Sequence, residues 1–411
     1  MATGSILMDK FNERMKKSKA KNNDEEFEVL YPTGFLSLDY LNGSMIHVDG
    51  NDIHAKYRST GIVDGSSNMF IGRSGCGKST LVFQIIGNIA RRFPNSDIYI
   101  DDIEGSLPMS RKEFLLGLDE QELKKRVKFR NTGITTESVY DRIKTIHDIK
   151  VENRTEFEYD TGLFDTYGNK IFKLVPTIYL IDSFAMLMPD DVLEKGEIDG
   201  GMGATKVAKQ NTQLVKKISQ LLREANIILI SVNHINDDPQ TGFLPKPAQI
   251  SGLKVGERLP GGKTALYIAN NLFRLDDKGT LKEGEGYGIA GQVVDVSIIK
   301  SRTNRNKTSV PLIFDKTNGH FDEELSMFHY LKINGCIGGA GRSMFLDGAP
   351  DIKFSQKEFL DKLHESVELQ LAFAKACRNE LDKLLFDVEN KKATISSFNL
   401  MDAINNLEDV G

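Results

Sequence analysis

Nine residues at positions 72–80, GRSGCGKST, have the composition and spacing of a phosphate-binding loop. Gly72, Gly77, Lys78 and Ser79 occupy the fixed positions of the pattern G-x-x-x-x-G-K-[ST]. Small residues let the backbone N–H groups turn inward around a phosphate, Lys78 can reach the β- and γ-phosphates, and Ser79 can coordinate Mg²⁺. The predicted nucleotide contacts are Gly72, Arg73, Ser74, Gly75, Cys76, Gly77, Lys78, Ser79 and Thr80.

The residues on either side of this run predict a strand before it and a helix after it. Positions 67–71 form a short apolar segment, and apolar residues recur at helical spacing from Leu81 to Ile89. The phosphate would then lie at a helix N-terminus, where backbone N–H groups and the helix dipole favour an anion. This context favours a nucleoside triphosphate site over a chance match in an ordinary loop.

Further apolar segments alternate with predicted helices along the chain. Runs of β-branched residues are typical of parallel strands that are buried on both faces. Strands that alternate with helices predict a parallel α/β sheet, with ligands at the carboxyl ends of the strands. The predicted strands are 67–71, 97–100, 127–130, 177–181, 227–232, 266–275, 293–300 and 310–314.

Polar residues follow three of these strands and could complete the site. Asp182 is expected to be the second protein partner of Mg²⁺ beside Ser79. Glu104 could orient and deprotonate a water that attacks the γ-phosphate. Asn233 and His234 end a third strand; His234 could relay the state of the γ-phosphate or could be a buried, satisfied histidine. Acids at strand ends are often only helix caps, so the set is more informative than any single member.

Composition excludes several classes of protein. The 411 residues carry a net charge of −5, so a nucleic-acid site must be a local patch rather than a general basic surface. The three cysteines lack metal-ligand spacing, and their small, odd number favours a reducing compartment without disulfides. Cys76 is either a redox-sensitive thiol or a tolerated small residue. We expect no membrane span and no signal peptide, and therefore a cytoplasmic protein.

The chain divides into three predicted regions. Residues 1–30 form an amphipathic helix and linker that docks either on its own body or on a neighbouring subunit. Residues 31–320 form the α/β core, interrupted by a hairpin insertion at 151–173, for which the sequence suggests no function. Residues 321–411 predict a small domain with a β-hairpin and helices.

The order of these motifs resembles the RecA family of strand-exchange recombinases, and within it the phage UvsX-type members. The resemblance covers most of the chain from position 33 onward. It implies a RecA-like P-loop NTPase core, a mostly parallel sheet flanked by helices, with an N-terminal helical arm and a small α+β C-terminal domain. The segments that carry it are Thr33-Gly34, Leu36-Ser37-Leu38-Asp39, Asp102-Ile103-Glu104-Gly105, Ile181-Asp182-Ser183, Asn233-His234 and Lys300-Ser301-Arg302-Thr303.

The resemblance implies roles for individual residues. Lys78 and Glu104 would act with ATP and Mg²⁺ inside one subunit, whereas Lys300 and Arg302 would reach the nucleotide of the adjacent subunit. Arg111 would lie against the adenine face, although an ordinary surface arginine is an equal alternative. The N-terminal helix would be the arm that docks on the next subunit.

Two long segments, 188–204 and 235–262, would bind DNA by the same resemblance. Composition alone favours solvated loops with ordinary lysines; with the resemblance we favour DNA, held by cations at its phosphates and by an aromatic stacking face. The expected DNA contacts are Met202, Gly203, Phe243, Lys246, Lys254, Arg258 and Lys263.

The sequence therefore predicts an ATP-dependent recombinase that forms a filament on single-stranded DNA and pairs it with homologous duplex. Its partners would be single- and double-stranded DNA and further copies of itself, with a single-strand-binding protein and a loader as additional candidates. A RecA-core helicase or translocase and an ATP-gated repair scaffold are the alternatives. Only about 30 residues precede the core, which argues against the helicase, and Glu104 argues against a scaffold that does not hydrolyse ATP.

Overall fold

A computed structural model describes residues 28–49, 54–105, 107–164, 170–194, 202–238, 252–260, 269–282, 286–301 and 308–387. Residues 1–27, which contain most of the predicted N-terminal arm, lie outside this part of the chain. So do four predicted site residues, Arg302, Phe243, Lys246 and Lys263. Their assigned roles stay predictions.

Twenty strands, β1 to β20, are present in the described residues. In chain order they are Leu30–Tyr31, Ser44–Asp49, His54–Ser59, Ile62–Val63, Ser67–Gly72, Ile98–Asp102, Val127–Arg130, Glu158–Phe164, Lys170–Leu174, Thr177–Asp182, Ile227–His234, Asn236–Asp237, Glu257–Arg258, Asn271–Leu281, Gly291–Lys300, Thr308–Asp315, His320–Asp322, Met344–Leu346, Ala349–Phe354 and Phe386–Asp387.

Eleven α-helices, α1 to α11, lie among the same residues, with two short 3₁₀ turns at Phe184–Met186 and Asp382–Leu384. In chain order the α-helices are Leu36–Leu41, Lys78–Arg92, Met109–Leu116, Glu120–Arg126, Thr136–Glu152, Arg154–Phe157, Asp190–Glu194, Met202–Glu224, Glu323–Ile333, Phe359–Glu365 and Val367–Leu381. None of the helices described here is long and apolar enough to cross a membrane.

Nine strands form one large, mostly parallel sheet in the order β17-β16-β15-β14-β5-β11-β10-β6-β7. The six strands from β14 to β7 run parallel, and β15, β16 and β17 extend the sheet with antiparallel pairs. Helices cover both faces. The predicted mixed α/β class with a mostly parallel, helix-flanked sheet is therefore confirmed.

The core follows from the alternation of side chains along the central strands. In β5, Phe70 belongs to the buried cluster on one face, whereas Met69 and Ile71 belong to the cluster on the other. Helix α2 packs into the first cluster, and helices α5 and α8 pack into the second. Successive residues of a strand point to opposite faces, so an unbroken apolar segment serves both layers.

The C-terminal elements pack on the core rather than apart from it. Phe321, at the end of the sheet, and Phe328 of α9 share one buried cluster with the aromatic side chains of β19 and α10. Strand β20 pairs in parallel with β2, and Arg58 forms a bidentate ion pair with Asp382, with both N···O distances at 2.6 Å. The end of the described chain is thereby fastened to its N-terminal hairpin. The boundary predicted near position 320 stays a prediction.

Some element bounds differ from the sequence prediction. Helix α8 begins at Met202, so Met202 and Gly203, predicted as the tip of a loop, belong to its first turn. The strand predicted at 266–275 is found at Asn271–Leu281. Its pairing with β5 ends at Leu275, but its antiparallel pairing with β15 continues to Leu281 and extends the strand. The hairpin predicted at 151–173 is present as β8 and β9, although helix α5 first extends to Glu152.

Lys150 on α5 is buried where two strands begin. Its Nζ donates to the Val175 carbonyl at 2.6 Å, to Thr177 Oγ1 at 3.0 Å and to the Asn226 carbonyl at 3.5 Å. These acceptors carry no full negative charge, and burial lowers the pKa of Lys150 to about 7.

The lowered pKa of Lys150 predicts a pH-dependent stability. Between pH 7 and 10.5 the unfolded chain holds a proton that the folded chain has released, so stability rises with pH across this window. Lys150→Met removes the titration. We expect its free energy of unfolding, relative to wild type, to fall by about 3 kcal/mol between pH 7 and pH 10. Urea unfolding at both pH values measures this, and a constant difference would contradict it.

Candidate nucleotide site

The predicted phosphate-binding residues form a loop between β5 and α2. Gly77 is the N-cap residue of α2 and has a left-handed backbone conformation with φ of +84°. A Cβ at this position would lie 2.8 Å from the Phe321 ring, so a side chain is excluded both by the backbone conformation and by packing. Gly75 also has positive φ and faces open space. The loop therefore exposes backbone at the start of a helix, as phosphate binding requires.

Lys78 is buried at the base of this loop. Its Nζ donates to the Arg73 carbonyl at 2.8 Å and lies 4.0 Å from Cys76 Sγ. Burial lowers the pKa of Lys78, and the nearby carboxylates of Asp182 and Glu104 partly oppose this effect. A carbonyl neutralises an ammonium only in part, so a phosphate oxygen would be a better partner for Lys78. Burial also raises the pKa of the Cys76 thiol, which disfavours the redox-sensitive alternative.

Asp182 ends strand β10 beside helix α2. Burial raises its pKa to about 6; the Glu104 carboxylate adds to the rise, and a hydrogen bond with Ser79 opposes it. Among the described residues, Asp182 Oδ1 is buried without a hydrogen-bond partner. A carboxylate oxygen and a hydroxyl together suit Mg²⁺, so the pair fits the predicted ion.

The described residues hold no group of three or more His, Cys, Asp or Glu side chains that could bind a metal by themselves. Mg²⁺ in nucleotide sites commonly uses one or two protein ligands and takes the rest from phosphates and water. Ser79 and Asp182 fit such a site, whereas a protein cage for the ion is not formed here.

Glu104 follows strand β6 and contacts His234 at the end of β11. The distance from His234 Nε2 to Glu104 Oε2 is 2.9 Å, and each side chain is a little over one quarter exposed. The backbone N–H groups of Ile103 and Glu104 donate to the Asp182 carbonyl at 2.7 and 3.1 Å. The carboxylate thus faces accessible space while its backbone is fixed.

Strand register explains why these groups meet. Asp182 pairs with Asp102 on one side and with Val232 on the other, and His234 pairs with Gly72. The carboxyl ends of β5, β6, β10 and β11 therefore lie at one edge of the sheet. The sequence predicted this convergence but not the direct contact between Glu104 and His234.

The described ends of the second long segment, residues 235–238 and 252–260, lie close to the predicted phosphate-binding residues. Strands β12 and β13 pair as a short ribbon on either side of residues 239–251, and Arg73 Nη2 donates to Asp237 Oδ1 in this ribbon at 2.7 Å. Asn233 Nδ2 donates to the Pro260 carbonyl at 3.0 Å. Lys254 and Arg258 are exposed at the base of the segment. Two of the predicted DNA contacts thus lie near the ribbon that Arg73 of the predicted phosphate-binding loop contacts.

A buried cluster holds this ribbon to the sheet. Arg274 of β14 donates to both oxygens of Glu257 at 2.7 and 3.0 Å and to Asp276 Oδ2 at 2.7 Å. Sequence reasoning missed these residues, because no local pattern distinguishes them from ordinary charged positions on a strand.

Arg111 lies at the same edge of the molecule on helix α3. Its guanidinium packs on Gly319, where a Cβ would be 2.8 Å from two of its nitrogens, and it lies 5.1 Å from the centre of the Phe114 ring. Partial burial lowers the pKa of Arg111. Gly319 precedes Phe321, the residue that contacts Gly77. A role for Arg111 at the adenine stays a prediction.

Lys300 lies away from the loop of residues 72–80 in its own chain. It pairs with Leu272, whereas Gly72 pairs with Leu275, so Lys300 lies about 10 Å further from the carboxyl edge along the strand direction. Ser301, the next residue, donates to Asn42 Oδ1 at 3.1 Å. The structure does not bring Lys300 to Lys78, Asp182 and Glu104.

No protein-family model matches the chain, and no curated protein is significantly similar to it.

Proposed function

We propose that this protein is an ATP-dependent recombinase that assembles on single-stranded DNA and pairs it with a homologous duplex. The observation that supports it most strongly is the meeting of Lys78, Asp182 and the Glu104–His234 pair at one sheet edge. This edge suits ATP hydrolysis. The recombinase assignment adds the order of motifs along the chain and the two long segments that adjoin the same edge.

The residues of the edge would divide the work of hydrolysis. The loop N–H groups and Lys78 would bind the β- and γ-phosphates, and Ser79 and Asp182 would hold Mg²⁺, which neutralises phosphate charge. Glu104 would orient a water and accept its proton at a carboxylate oxygen. The water oxygen would bond the γ-phosphorus while the bond from the γ-phosphorus to the β–γ bridging oxygen breaks, and ADP would leave. His234 would keep Glu104 turned toward this water and would change its contact when the phosphate leaves.

Lys300 would complete the site of a neighbouring subunit. Along the strand direction, Lys300 lies about 10 Å further from the carboxyl edge than Gly72 of its own loop, which makes action within one chain geometrically unfavourable. A head-to-tail interface repeated along a helix would place it, with Arg302, at the next nucleotide. Hydrolysis would then require assembly on DNA, and the predicted arm, residues 1–30, would join subunits.

Lys300→Ala should abolish DNA-stimulated hydrolysis and leave nucleotide binding nearly unchanged. Mixing it in equal amounts with Glu104→Gln, also inactive alone, should restore about a quarter of wild-type turnover, because that fraction of interfaces pairs an intact Glu104 with an intact neighbouring Lys300. Steady-state hydrolysis with single-stranded DNA measures this. A mixture that stays inactive would place Lys300 within its own site, and normal turnover by Lys300→Ala would exclude it from hydrolysis.

DNA would bind along the two long segments that adjoin the nucleotide edge. Lys254 and Arg258 are exposed near the ribbon that Arg73 contacts, and Phe243, Lys246 and Lys263 belong to the same stretch of sequence. Cations would contact phosphates and Phe243 would stack on a base. Met202 and Gly203 would contribute from the start of helix α8.

The proposal is tested by ATP hydrolysis at increasing concentrations of single-stranded DNA. We expect turnover to rise at least about tenfold with DNA and to depend cooperatively on protein concentration. Hydrolysis that is independent of DNA, or no hydrolysis by folded protein, would overturn it.

A further inference from the structure

A buried ion pair joins helix α3 to the end of strand β6. Lys112 Nζ donates to Asp102 Oδ2, and the two side chains are only 9% and 5% exposed. Removing two charges from water costs free energy that their attraction returns only in part, so a buried pair is a weak source of stability. Its effect on neighbouring groups is the better explanation for its presence.

The neighbouring group is the backbone that carries Glu104. Asp102 Oδ1 accepts a hydrogen bond from the Gly105 N–H at 2.8 Å, on the far side of Glu104. On the near side, the Ile103 N–H donates to the Asp182 carbonyl. Backbone hydrogen bonds of the residues on either side of Glu104 therefore fix its position. One of these contacts depends on an Asp102 side chain whose other oxygen is bound by Lys112.

The positive charge of Lys112 also balances negative charge near the proposed hydrolysis site. Asp102 lies opposite Asp182 in the register of β6 and β10, so the two carboxylates end neighbouring strands. Lys112 offsets the charge of Asp102. Without Lys112, Asp102 would be a buried charge without its partner, close to the carboxylate of Asp182.

We propose that Lys112, acting through Asp102, is a positioning residue that holds Glu104 in place for ATP hydrolysis. The inference rests on the proposed function, since it takes Glu104 as the group that activates water. Lys112 follows Arg111 in helix α3, so one helical turn would contact the adenine and also fix the hydrolytic loop. Correct base binding and correct Glu104 placement would then occur together.

Lys112→Met keeps the length of the side chain and removes its charge, and Lys112→Arg restores the charge. We expect Lys112→Met to lower kcat about 30-fold with the nucleotide Kd within about threefold of wild type, and Lys112→Arg to recover most of the loss. Lys124→Met, which removes an exposed lysine from an ion pair with Glu120, is the matched control and should change neither quantity. Hydrogen exchange of the peptide spanning residues 98–112 should be faster in Lys112→Met only.

An unchanged kcat and unchanged exchange in folded Lys112→Met would overturn the inference, as would equal losses of kcat and nucleotide affinity.

If Lys112→Met does not fold, the double variant Lys112→Met/Asp102→Asn tests the inference instead. It removes both charges and keeps an oxygen that can accept the hydrogen bond from the Gly105 N–H. The double variant should hydrolyse ATP at least about tenfold faster than Asp102→Asn alone, because Asp102→Asn leaves Lys112 as an unpaired buried charge. Equal rates of hydrolysis would contradict the proposal.

If folded wild type does not hydrolyse ATP, the proposed function fails. Hydrogen exchange then decides whether Lys112 holds the loop.

Discussion

Lys78→Ala is expected to weaken ATP binding by about 10²–10³-fold and to abolish hydrolysis and DNA pairing. The ammonium is the one charged group that the loop places at its base, and each charge-assisted hydrogen bond to a phosphate contributes about 1.5–3 kcal/mol. Titration with a fluorescent ATP analogue measures the affinity. The change in stability should be small, because Lys78 bonds a carbonyl and sits buried with a lowered pKa.

Lys124→Ala is the control for this experiment, since Lys124 is exposed and forms only a surface ion pair. It should bind ATP as wild type does. Equal ATP affinity in Lys78→Ala and wild type would exclude the loop of residues 72–80 as the phosphate site.

Glu104→Gln is expected to lower DNA-stimulated turnover by about 10²–10³-fold while ATP affinity stays within a few fold. Glutamine keeps the size of the side chain and can still bond His234, but it cannot accept a proton from water. Single-turnover hydrolysis and nucleotide titration on the same preparation separate the two effects. Assembly on DNA should persist, because binding of ATP rather than its hydrolysis would drive it.

The matched control is Glu368→Gln, which changes an exposed carboxylate at the start of helix α11. Its turnover should equal that of wild type. Near-normal hydrolysis by Glu104→Gln would mean that Glu104 is not the base, and the His234 contact would then be structural.

Local patterns made the loop of residues 72–80 and the central strands predictable. The spacing of Gly72, Gly77 and Lys78 is short, and uninterrupted apolar segments such as 177–181 identify strands that serve two layers. Once the strands are taken as parallel, polar residues at their carboxyl ends must share an edge. The positions of Glu104 and Asp182 followed from this reasoning.

Contacts between different helices and strands were not predictable from the sequence. The Glu104–His234 bond joins residues 130 positions apart, and the Lys112–Asp102 pair depends on how helix α3 turns back over the sheet. The extension of β14 to Leu281 depends on an antiparallel partner rather than on its own charged residues. Such features are set by pairing and packing between distant segments, which a single-sequence pattern does not encode.

Pairing of homologous DNA tests the central claim most directly. Purified protein, ATP and Mg²⁺ are incubated with a labelled single strand and a homologous supercoiled duplex, with Lys78→Ala and a non-homologous strand as controls. The account predicts a joint molecule that requires ATP, Lys78 and homology. DNA-stimulated hydrolysis with no joint molecule, accompanied by unwinding of a forked duplex, would contradict it and identify a translocating motor instead.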